Sequence, residues 1–279
     1  MITFRKFGNY GRLGNQLFQY AALRCLSLRK NYPMLLPYTQ NNRLLEFSIN
    51  CHLLRPEQLN QKWNLFREKQ FHFDKDFFNC THQTDFEGYF QSEKYFTDID
   101  YVIRREFTIS NKQKEASCQN TIQRIKNKHP KQKITAFHIR RGDNVPSDHD
   151  SVSQSGEQYR VNKQDFHPLL SQQFIDHALN MFSDDVKLVF SDSKKDIEWC
   201  KENLQGSDLY FIGGNDDIFD FRMMQLCDNN VISNSSFSWW SAWLNTNKDK
   251  KVLAPSKWFG KVYKDHNLKD LIPEQWETF

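Results

Sequence analysis

Residues 134–143 read ITAFHIRRGD, a short apolar and β-rich run that ends in two arginines, a glycine and an aspartate. Four further runs of strand character follow, at residues 187–191, 209–212, 230–233 and 251–254. Segments of helical length accompany these runs, at residues 171–182, 194–203, 217–227 and 237–244. Strands that alternate with helices are typical of a parallel sheet covered on both faces. The stretch from about 130 to 260 is therefore predicted to form one doubly wound α/β domain.

The first half of the chain opens in the same way. A predicted strand at residues 2–7 meets a glycine-containing turn at residues 8–14, and a helix is predicted from about Asn15. The residues predicted to share one face of this helix are Leu17, Ala21, Cys25 and Leu28. A strand, a tight turn and a helix in this order predict a second α/β domain at the N-terminus.

The middle of the chain predicts less. Residues 40–110 are aromatic and mixed, and no clear element follows from their pattern. The next stretch, 110–133, is polar and rich in Lys, Gln and Asn, so we expect a helix plus a linker there. The predicted domains are an N-terminal α/β domain at 1–125 and a C-terminal Rossmann-like domain at 126–279.

The composition is that of a globular protein. Of the 279 residues, 38% are hydrophobic and 26% are charged, which argues against a disordered or fibrous chain. The net charge of +4 is scattered and too small for a dedicated nucleic-acid binder. Aromatic residues make up 15% and most of them are Phe, which favours a Phe-rich core over a sugar-lined surface.

The chain shows no targeting or membrane signal. Its first residues lack the features of a signal peptide, and no run of about 18 apolar residues occurs. The six cysteines have no CxxC spacing, which indicates reduced thiols and gives no support to a zinc site. We therefore expect a cytoplasmic protein without a transmembrane segment, and peripheral contact with a membrane stays open.

The motif at residues 138–143, HIRRGD, leaves the predicted strand at its carboxyl end. Two guanidinium groups at this position are suited to grip a diphosphate bidentately. The glycine permits a tight turn, and Asp143 can orient an arginine or accept a proton. Two other interpretations stay open: a salt bridge at a strand end, and a chance RGD tripeptide of the kind used in cell adhesion.

A second motif, SNSSFSWWSAW at residues 233–243, also follows a strand and opens a helix. Small hydroxyl residues at a helix start leave free N–H groups, which form an anion site. The alternative is a simple N-cap with the tryptophans buried, and both interpretations can hold together. The turn at residues 11–14, GRLG, is a weaker candidate, because it matches neither a Walker loop nor GxGxxG.

Three DxD triplets occur, at residues 74–76, 98–100 and 148–150. Metal-dependent sugar transferases hold Mn²⁺ or Mg²⁺ with such pairs. Asp is common in this chain, so one or two triplets are expected by chance. We interpret the first two as surface or capping residues and predict no metal site.

Four blocks together resemble the α-1,2-fucosyltransferases of glycosyltransferase family 11. They are GRLGNQLFQYA at 11–21, EGYFQSEKYF at 87–96, HIRRGD at 138–143 and SNSSFSWWSAWL at 233–244. A weaker fifth block is FSD at 190–192, followed by Trp199. The resemblance implies a GT-B fold, with two Rossmann-like domains facing across a cleft. It also implies GDP-β-L-fucose as donor, inversion at the transferred sugar, and no cofactor or metal.

The same resemblance assigns roles to residues. Arg140 matches the position that contacts the β-phosphate of the donor, and Asp143 matches an aspartate that is catalytic or orients the arginine. The matching donor-binding positions are Asn15, Gln16, His138, Arg141, Asp192, Asn234, Ser235, Ser236 and Phe237. An inverting transfer needs a base for the acceptor proton. Asp143 is the first candidate, and Asp148 and Asp150 are the alternatives.

The acceptor follows from the resemblance alone. The family implies transfer to the 2-hydroxyl of a terminal galactose, on an oligosaccharide or a lipid-linked glycan, with the acceptor on the side of the N-terminal domain and its GRLGNQ loop. Three departures bear on it: Arg12 replaces a common glycine, Asn144 replaces a usual aromatic, and the loop at 144–170 is long. The alternatives are a fucosyltransferase of another linkage or acceptor, and a non-catalytic protein that binds nucleotide sugar or carbohydrate.

Overall fold

The computed structural model describes residues 1–142 and 163–279. The chain divides into two compact units. The first unit comprises Met1–Lys114 and His266–Glu274, and the second comprises Glu115–Asp265 and Gln275–Phe279. Each unit contains its own parallel sheet.

The first unit is built on a five-stranded sheet of short strands. They are β1 (Ile2–Thr3), β2 (Met34–Leu36), β3 (His52–Leu53), β4 (Asn64–Arg67) and β5 (Thr84–Glu87). Their order in the sheet is β3-β2-β1-β5-β4, and every pairing is parallel. The predicted strand at 2–7 is shortened to two residues, because the chain turns at residues 5–9 and a hydrogen bond joins the Phe7 N–H to the Phe4 carbonyl.

The helices of the first unit are α1 (Leu13–Lys30), α2 (Pro56–Leu59) and α3 (Asp100–Glu106), with 3-10 turns at Arg43–Glu46, Lys75–Asn79, Glu93–Tyr95 and Thr97–Ile99. Helix α1 begins two residues before the predicted start, and Leu17, Ala21 and Cys25 are buried as predicted. Leu28 is 44% exposed, so its predicted place on the buried face is wrong; the last turn of α1 extends past the core into solvent.

A cluster of aromatic rings fills the core of the first unit. Phe77 is fully buried, and its ring centroid lies 4.9–5.2 Å from those of Phe86, Phe90 and Tyr95. Tilted and edge-to-face ring pairs at such distances add to the free energy gained by burying the rings. The prediction of a Phe-rich core is confirmed for this unit.

The second unit is built on a six-stranded sheet. Its strands are β6 (Ile134–His138), β7 (Val186–Phe190), β8 (Leu209–Ile212), β9 (Asn229–Val231), β10 (Val252–Ala254) and β11 (Glu277–Thr278). The order is β11-β10-β9-β6-β7-β8, and all pairings are parallel. The five predicted strands of this domain are confirmed within two residues at each end.

Helices cover both faces of this sheet. They are α4 (Lys112–Lys128), α5 (Gln172–Met181), α6 (Lys194–Asn203), α7 (Asp217–Gln225) and α8 (Ser236–Leu244). Side chains alternate along β6, so that Phe137 packs with α5 and α6 and Ala136 packs with α4 and α7. The predicted doubly wound arrangement is confirmed.

The division between the units lies near the start of α4. The predicted boundary at 125/126 falls inside this helix, whereas the structure assigns Glu115 onward to the second unit. The physical reason is packing, because Cys118 and Ile122 of α4 belong to the core cluster that lies under β6 and β7. Near the C-terminus, residues 266–274 return to the first unit, where Lys94 forms an ion pair with Asp270 at 2.6 Å. Among the described residues, no helix has the length and apolar character needed to cross a bilayer.

Candidate active site

The candidate site lies at one edge of the second sheet. Strands β9, β6 and β7 are neighbours and run parallel, so their carboxyl ends meet at this edge. The three predicted motifs leave these ends at residues 139–142, 191–193 and 232–236. Ligands of open parallel sheets bind outside the carboxyl ends of the strands. The fold thus brings together segments that are about 50 and 90 residues apart in the sequence.

The backbone that carries Arg140 is fixed from both neighbouring strands. Its N–H donates to Ser233 Oγ at 2.8 Å, and Ser233 Oγ donates to the carbonyl of His138. On the other side, the Ile139 N–H donates to the carbonyl of Phe190 at 2.9 Å. Hydroxyl groups that bridge two main-chain segments leave little freedom for the peptide between them. The Cα of Arg140, from which its side chain extends, is therefore fixed by hydrogen bonds to both neighbouring strands.

Arg141 is oriented by an aromatic ring and two carboxylates. Its guanidinium carbon lies 3.6 Å from the centroid of the Trp199 ring, and its Nε lies 3.8 Å from Asp196 Oδ1. The backbone N–H of Arg141 donates to Asp192 Oδ2 at 3.0 Å. A planar guanidinium stacks on an aromatic face through cation–π attraction while its edge stays available for hydrogen bonds.

Gly142 closes this turn against Asp192. Its φ is +23°, and a Cβ at this position would lie 2.9 Å from the Asp192 carboxyl carbon. Any other residue would push the turn away from that carboxylate. Asp192 thus stabilises the turn through Arg141 and contacts the glycine that ends it.

His138 is a buried, neutral imidazole at the base of the site. Burial is the largest cause that lowers its pKa to about 4; the Arg140 charge lowers it further and Asp192 opposes the shift. Within the part of the chain that the structure describes, its Nδ1 has no hydrogen-bond partner. Its ring centroid is 5.8 Å from that of Phe237. A neutral histidine here offers a hydrogen-bond donor or acceptor without adding a second buried charge.

The start of α8 presents unpaired backbone groups. An α-helix leaves its first N–H groups without intrahelical partners, and the Ser235 side chain makes no cap hydrogen bond. Ser236 and Phe237 are half-buried, whereas Trp239, Trp240 and Trp243 are buried in the unit. The burial of the tryptophans confirms that part of the alternative interpretation. The tryptophans therefore belong to the core, and the start of α8 is the part of this motif that is suited to bind an anion.

Asn234 connects the site to two adjoining segments. Its Nδ2 donates to the carbonyls of Pro168 and Trp258 at 2.8 and 3.0 Å. Its Oδ1 is buried and has no partner among the described residues. The amide therefore has one end committed to the backbone and the other end available.

The two remaining predicted donor residues belong to the first unit. Gln16 is buried; its Nε2 donates to the Asn41 carbonyl and its Oε1 accepts the Arg43 N–H, both at 2.8 Å. Asn15 is half-buried, and its Oδ1 accepts the Gln91 Nε2 at 2.8 Å. Gln16 uses both ends of its amide to hold neighbouring backbone, whereas Asn15 uses its Oδ1 to hold the Gln91 side chain.

Three predicted carboxylates, Asp143, Asp148 and Asp150, lie outside the described residues, as do positions 144–162 of the long loop. Of the other DxD residues, Asp74 caps a 3-10 turn by accepting the Asp76 N–H at 2.9 Å. Asp98 pairs with Arg29, and Asp100 pairs with Arg104 at 3.1 Å. These positions fit the surface and capping interpretation. Within residues 1–142 and 163–279, no cluster of three His, Cys, Asp or Glu side chains is arranged to hold a metal ion.

Ser233 also contributes to the site, although it was not predicted as a site residue. It lies in a motif that the sequence displays, but its bridge between β9 and β6 depends on strand pairing that one sequence does not display.

The family model described as Glycosyl transferase family 11 matches residues 6–276, nearly the whole chain. The chain belongs to glycosyl transferase family 11. The resemblance carried by the four sequence blocks is confirmed, and the match includes every candidate site residue named above.

Curated relatives of this family 11 chain include bacterial and mammalian enzymes. The O-antigen biosynthesis glycosyltransferase WbnK of Escherichia coli is 33% identical over 51% of the chain, which is 43% of WbnK. An alpha-1,2-colitosyltransferase of E. coli is 31% identical over 69% of the chain and 61% of that protein. Galactoside alpha-(1,2)-fucosyltransferase 2 of Oryctolagus cuniculus is 26% identical over 88% of the chain and 67% of its own length. The chain thus spans about half of the two bacterial relatives.

Solved structures confirm the fold class. The apo form of POFUT1 aligns with 91% of the chain and 97% of its own, with a TM-score of 0.50 and 12% identity. NodZ alpha-1,6-fucosyltransferase soaked with GDP-fucose aligns with 87% of the chain and 91% of its own, with a TM-score of 0.50 and 11% identity. At these identities the likeness concerns the fold alone. The family 11 chain is an α/β protein of the GT-B type, with a parallel sheet in each unit.

Proposed function

We propose that this family 11 member is an inverting fucosyltransferase that moves L-fucose from GDP-β-L-fucose to the 2-hydroxyl of a terminal galactose, without a metal ion or other cofactor. The observation that carries the proposal is the arginine pair at the carboxyl end of β6, held by side chains from the ends of β9 and β7. The acceptor is an oligosaccharide or a lipid-linked glycan.

The proposed chemistry requires a fixed positive charge. As the bond between fucose and the β-phosphate breaks, negative charge grows on GDP. A guanidinium that is already in position stabilises this charge more in the transition state than in the ground state. Arg140 is assigned this role because its backbone is bridged to both adjacent strands. Arg141, stacked on Trp199, supports the same anion.

The remaining donor contacts are assigned to the start of α8 and to His138. The free N–H groups at Ser236 and Phe237 suit the diphosphate, because a helix N-terminus carries partial positive charge. The neutral imidazole of His138 and the Oδ1 of Asn234, which has no partner within residues 1–142 and 163–279, supply directional hydrogen bonds. Ser235 and Asp192 hold the two turns in shape. Asn15 and Gln16 are assigned to the donor from the first unit.

The acceptor proton needs a carboxylate. We assign it to Asp143, with Asp148 and Asp150 as alternatives; the proton passes from the 2-hydroxyl of galactose to that carboxylate as the oxygen attacks the anomeric carbon of fucose. Attack on the face opposite the leaving GDP converts the β-linked donor into an α-linked product. In this scheme the acceptor is bound on the side of the first unit, and the second unit binds the diphosphate of GDP-fucose.

A second donor is favoured by one comparison. The relative named alpha-1,2-colitosyltransferase is 31% identical to the chain. Colitose is fucose without its 3-hydroxyl, so the same phosphate site would serve GDP-colitose. A site that hydrogen-bonds the 3-hydroxyl rejects the deoxy sugar strongly, whereas a site without that contact accepts both.

The deciding experiment incubates the purified chain with GDP-fucose, GDP-colitose or GDP-mannose, each with and without lactose or N-acetyllactosamine. GDP release and product mass are followed, and NMR determines the linkage. We expect GDP release that depends on acceptor and a product with one added deoxyhexose in α-1,2 linkage. Transfer only from GDP-colitose would replace the donor. A different linkage would replace the acceptor assignment. GDP binding without any transfer would favour a non-catalytic binding protein.

A further inference from the structure

The turn at residues 88–91 belongs to the second family block, EGYFQSEKYF, which has no role in the proposed chemistry. The turn follows β5 in the first unit, and β5 lies between β1 and β4 in the sheet. It therefore stands at the carboxyl edge of this sheet, the edge at which open parallel sheets bind ligands.

Glu68, which follows β4, fixes this turn from one side. Its carboxylate accepts the N–H groups of Tyr89 and Phe90 at 2.6 and 3.0 Å. Its own N–H donates to the Glu87 carbonyl at 2.8 Å. A Cβ at Gly88 would lie 2.4 Å from the Glu68 Cβ, so the carboxylate reaches the turn only past a glycine.

The turn is strained and strongly anchored. Phe90 has a φ of +52°, a left-handed conformation that a residue with a side chain seldom adopts. Its ring is fully buried, with centroids 5.2 Å from Phe77 and 5.6 Å from Tyr95. Strained backbone of this kind persists where the surroundings determine it in several ways, and it is concentrated at functional sites.

Helix α1 fixes the turn from the other side. Gln19 Nε2 donates to the Gly88 carbonyl at 3.1 Å, and Gln91 Nε2 donates to Asn15 Oδ1 at 2.8 Å. The backbone of the turn is thus bound at each residue from 88 to 90. The side chains of Tyr89 and Gln91 are half-buried, so part of each is exposed at this edge of the sheet.

This pair of groups suits a neutral sugar. The face of an aromatic ring packs against the C–H face of a hexose, and an amide oxygen accepts from a sugar hydroxyl. Tyr10 extends the aromatic surface, with its ring centroid 5.7 Å from that of Tyr89. The ion pairs of this edge lie beside the turn rather than in it: Arg67 contacts Glu87 at 2.9 Å and Lys6 contacts the same carboxylate, whereas residues 88–91 carry no charged side chain.

We propose that Tyr89 and Gln91 contact the acceptor sugar and that Glu68 is the positioning residue that presents them. This inference rests on the proposed function for the identity of the acceptor as a galactoside. Glu68 acts only through the backbone of the turn; Gln91 acts by direct contact.

A double-mutant cycle tests it. Glu68→Gln removes one of two carboxylate oxygens and thereby one N–H acceptor, and Gln91→Ala removes the amide. We expect each single variant to raise the KM for lactose about tenfold, as for the loss of one hydrogen bond, with the KM for GDP-fucose within twofold. The double variant should be about as impaired as either single variant, because both act on the same contact. Glu57→Gln, at an exposed glutamate of the same unit, is the matched control.

Several results would overturn the inference. An unchanged lactose KM in Glu68→Gln, or equal increases in both KM values, would leave Glu68 a purely structural residue. Additive effects in the double variant would separate Glu68 from Gln91. If Glu68→Gln does not fold, Gln91→Ala decides alone. If wild type transfers nothing, the proposed function fails, and saturation-transfer NMR with lactose on wild type and Gln91→Ala still tests the turn.

Discussion

The two parallel sheets end in edges of different chemistry. At the edge of the second unit, Arg141 stands 3.8 Å from the nearest carboxylate oxygen of Asp196 and stacks on a ring. At the edge of the first unit, Arg5 binds Asp85 at 2.7 Å, and neutral amides and tyrosines occupy the turn after β5. The turn that follows β6 carries two arginines, whereas the turn at 88–91 that follows β5 carries only uncharged residues. This difference matches the proposed division between a diphosphate donor and a neutral sugar acceptor.

The largest effect should come from the charged edge. Arg140→Ala is expected to lower kcat by about 10²–10³-fold, the usual result of removing one preorganised donor from a developing oxyanion. Steady-state kinetics with GDP-fucose and lactose measure it, and circular dichroism checks the fold. Arg124→Ala, an exposed arginine on α4, makes the same charge change and should leave kcat within twofold. Equal losses in both variants would mean that the charge difference between the edges has no catalytic meaning.

A smaller effect should follow when the support of that arginine is removed. Ser233→Ala leaves the Arg140 N–H without its acceptor and breaks the bridge to His138. A buried donor left unpaired costs about 1–3 kcal/mol, so we expect kcat to fall by roughly 10- to 100-fold with little change in the lactose KM. Ser207→Ala at an exposed serine of the same unit is the control. A rise in the lactose KM instead would contradict the assignment of this edge to the donor.

The titration of Glu68 should make the free energy of unfolding depend on pH. Burial is the largest cause that raises its pKa from 4.5 to about 7; Asp74 adds to the shift, and the N–H groups of Tyr89 and Phe90 oppose it. Between these two pKa values the folded state holds a proton that the unfolded state has lost. The free energy of unfolding should therefore decrease as pH rises through this window, by at most about 1.4 kcal/mol per pH unit.

The comparison with Glu68→Gln isolates this contribution, because Asp220 in the second unit has a pKa raised to about 6 and shifts stability in the same direction. Urea unfolding at several pH values should show wild type losing stability relative to the variant from about pH 5 to 7, and no further relative change above that. The same pH dependence of stability in wild type and Glu68→Gln would show that Glu68 does not titrate in this pH range.

The smallest effect is expected from metal removal. If the arginines supply the positive charge at the second edge, EDTA should leave the rate of transfer within twofold of the untreated enzyme. A stopped-flow or coupled assay of GDP release measures it. A collapse of the rate that Mn²⁺ restores would give the triplet at 148–150 the role that we assign to Arg140.

The two units also differ in how far the sequence predicted them. The second sheet was predicted from the alternation of apolar runs and helical segments. Strands β6, β7, β9 and β10 each have three or more residues and are buried, whereas the edge strand β8 is half-buried and the C-terminal β11 has only two residues. The first sheet has strands of two to four residues and several 3-10 turns, and such short elements carry no period to detect. Leu28 shows a limit of prediction within a helix. The helical spacing of apolar residues indicates which face of α1 a residue lies on, but not where along the helix the core ends.

The proposed site residues divide in the same way. Arg140 and Ser236 were predicted from the sequence because they occur in motifs that directly follow strands. Glu68 lies alone in a polar stretch, and only the pairing of β4 with β5 brings it to the Tyr89 N–H. Ser233 and Glu68 share this property: both act on backbone from a neighbouring strand. A contact of this kind depends on register, which no spacing along one chain encodes.

The tryptophans give the chain a built-in optical label for one half. Of the 7 tryptophans, only Trp63 belongs to the first unit; the other six lie in the second, and Trp239 and Trp240 are fully buried there. The first unit has its core filled by phenylalanine, which contributes almost no emission when tryptophan is excited at the red edge. Fluorescence therefore reports mainly on the second unit, with Trp63 as the one contribution from the first, while far-ultraviolet dichroism reports on both. Melting curves recorded by the two signals on one sample would separate the cooperativity of the halves without any added dye.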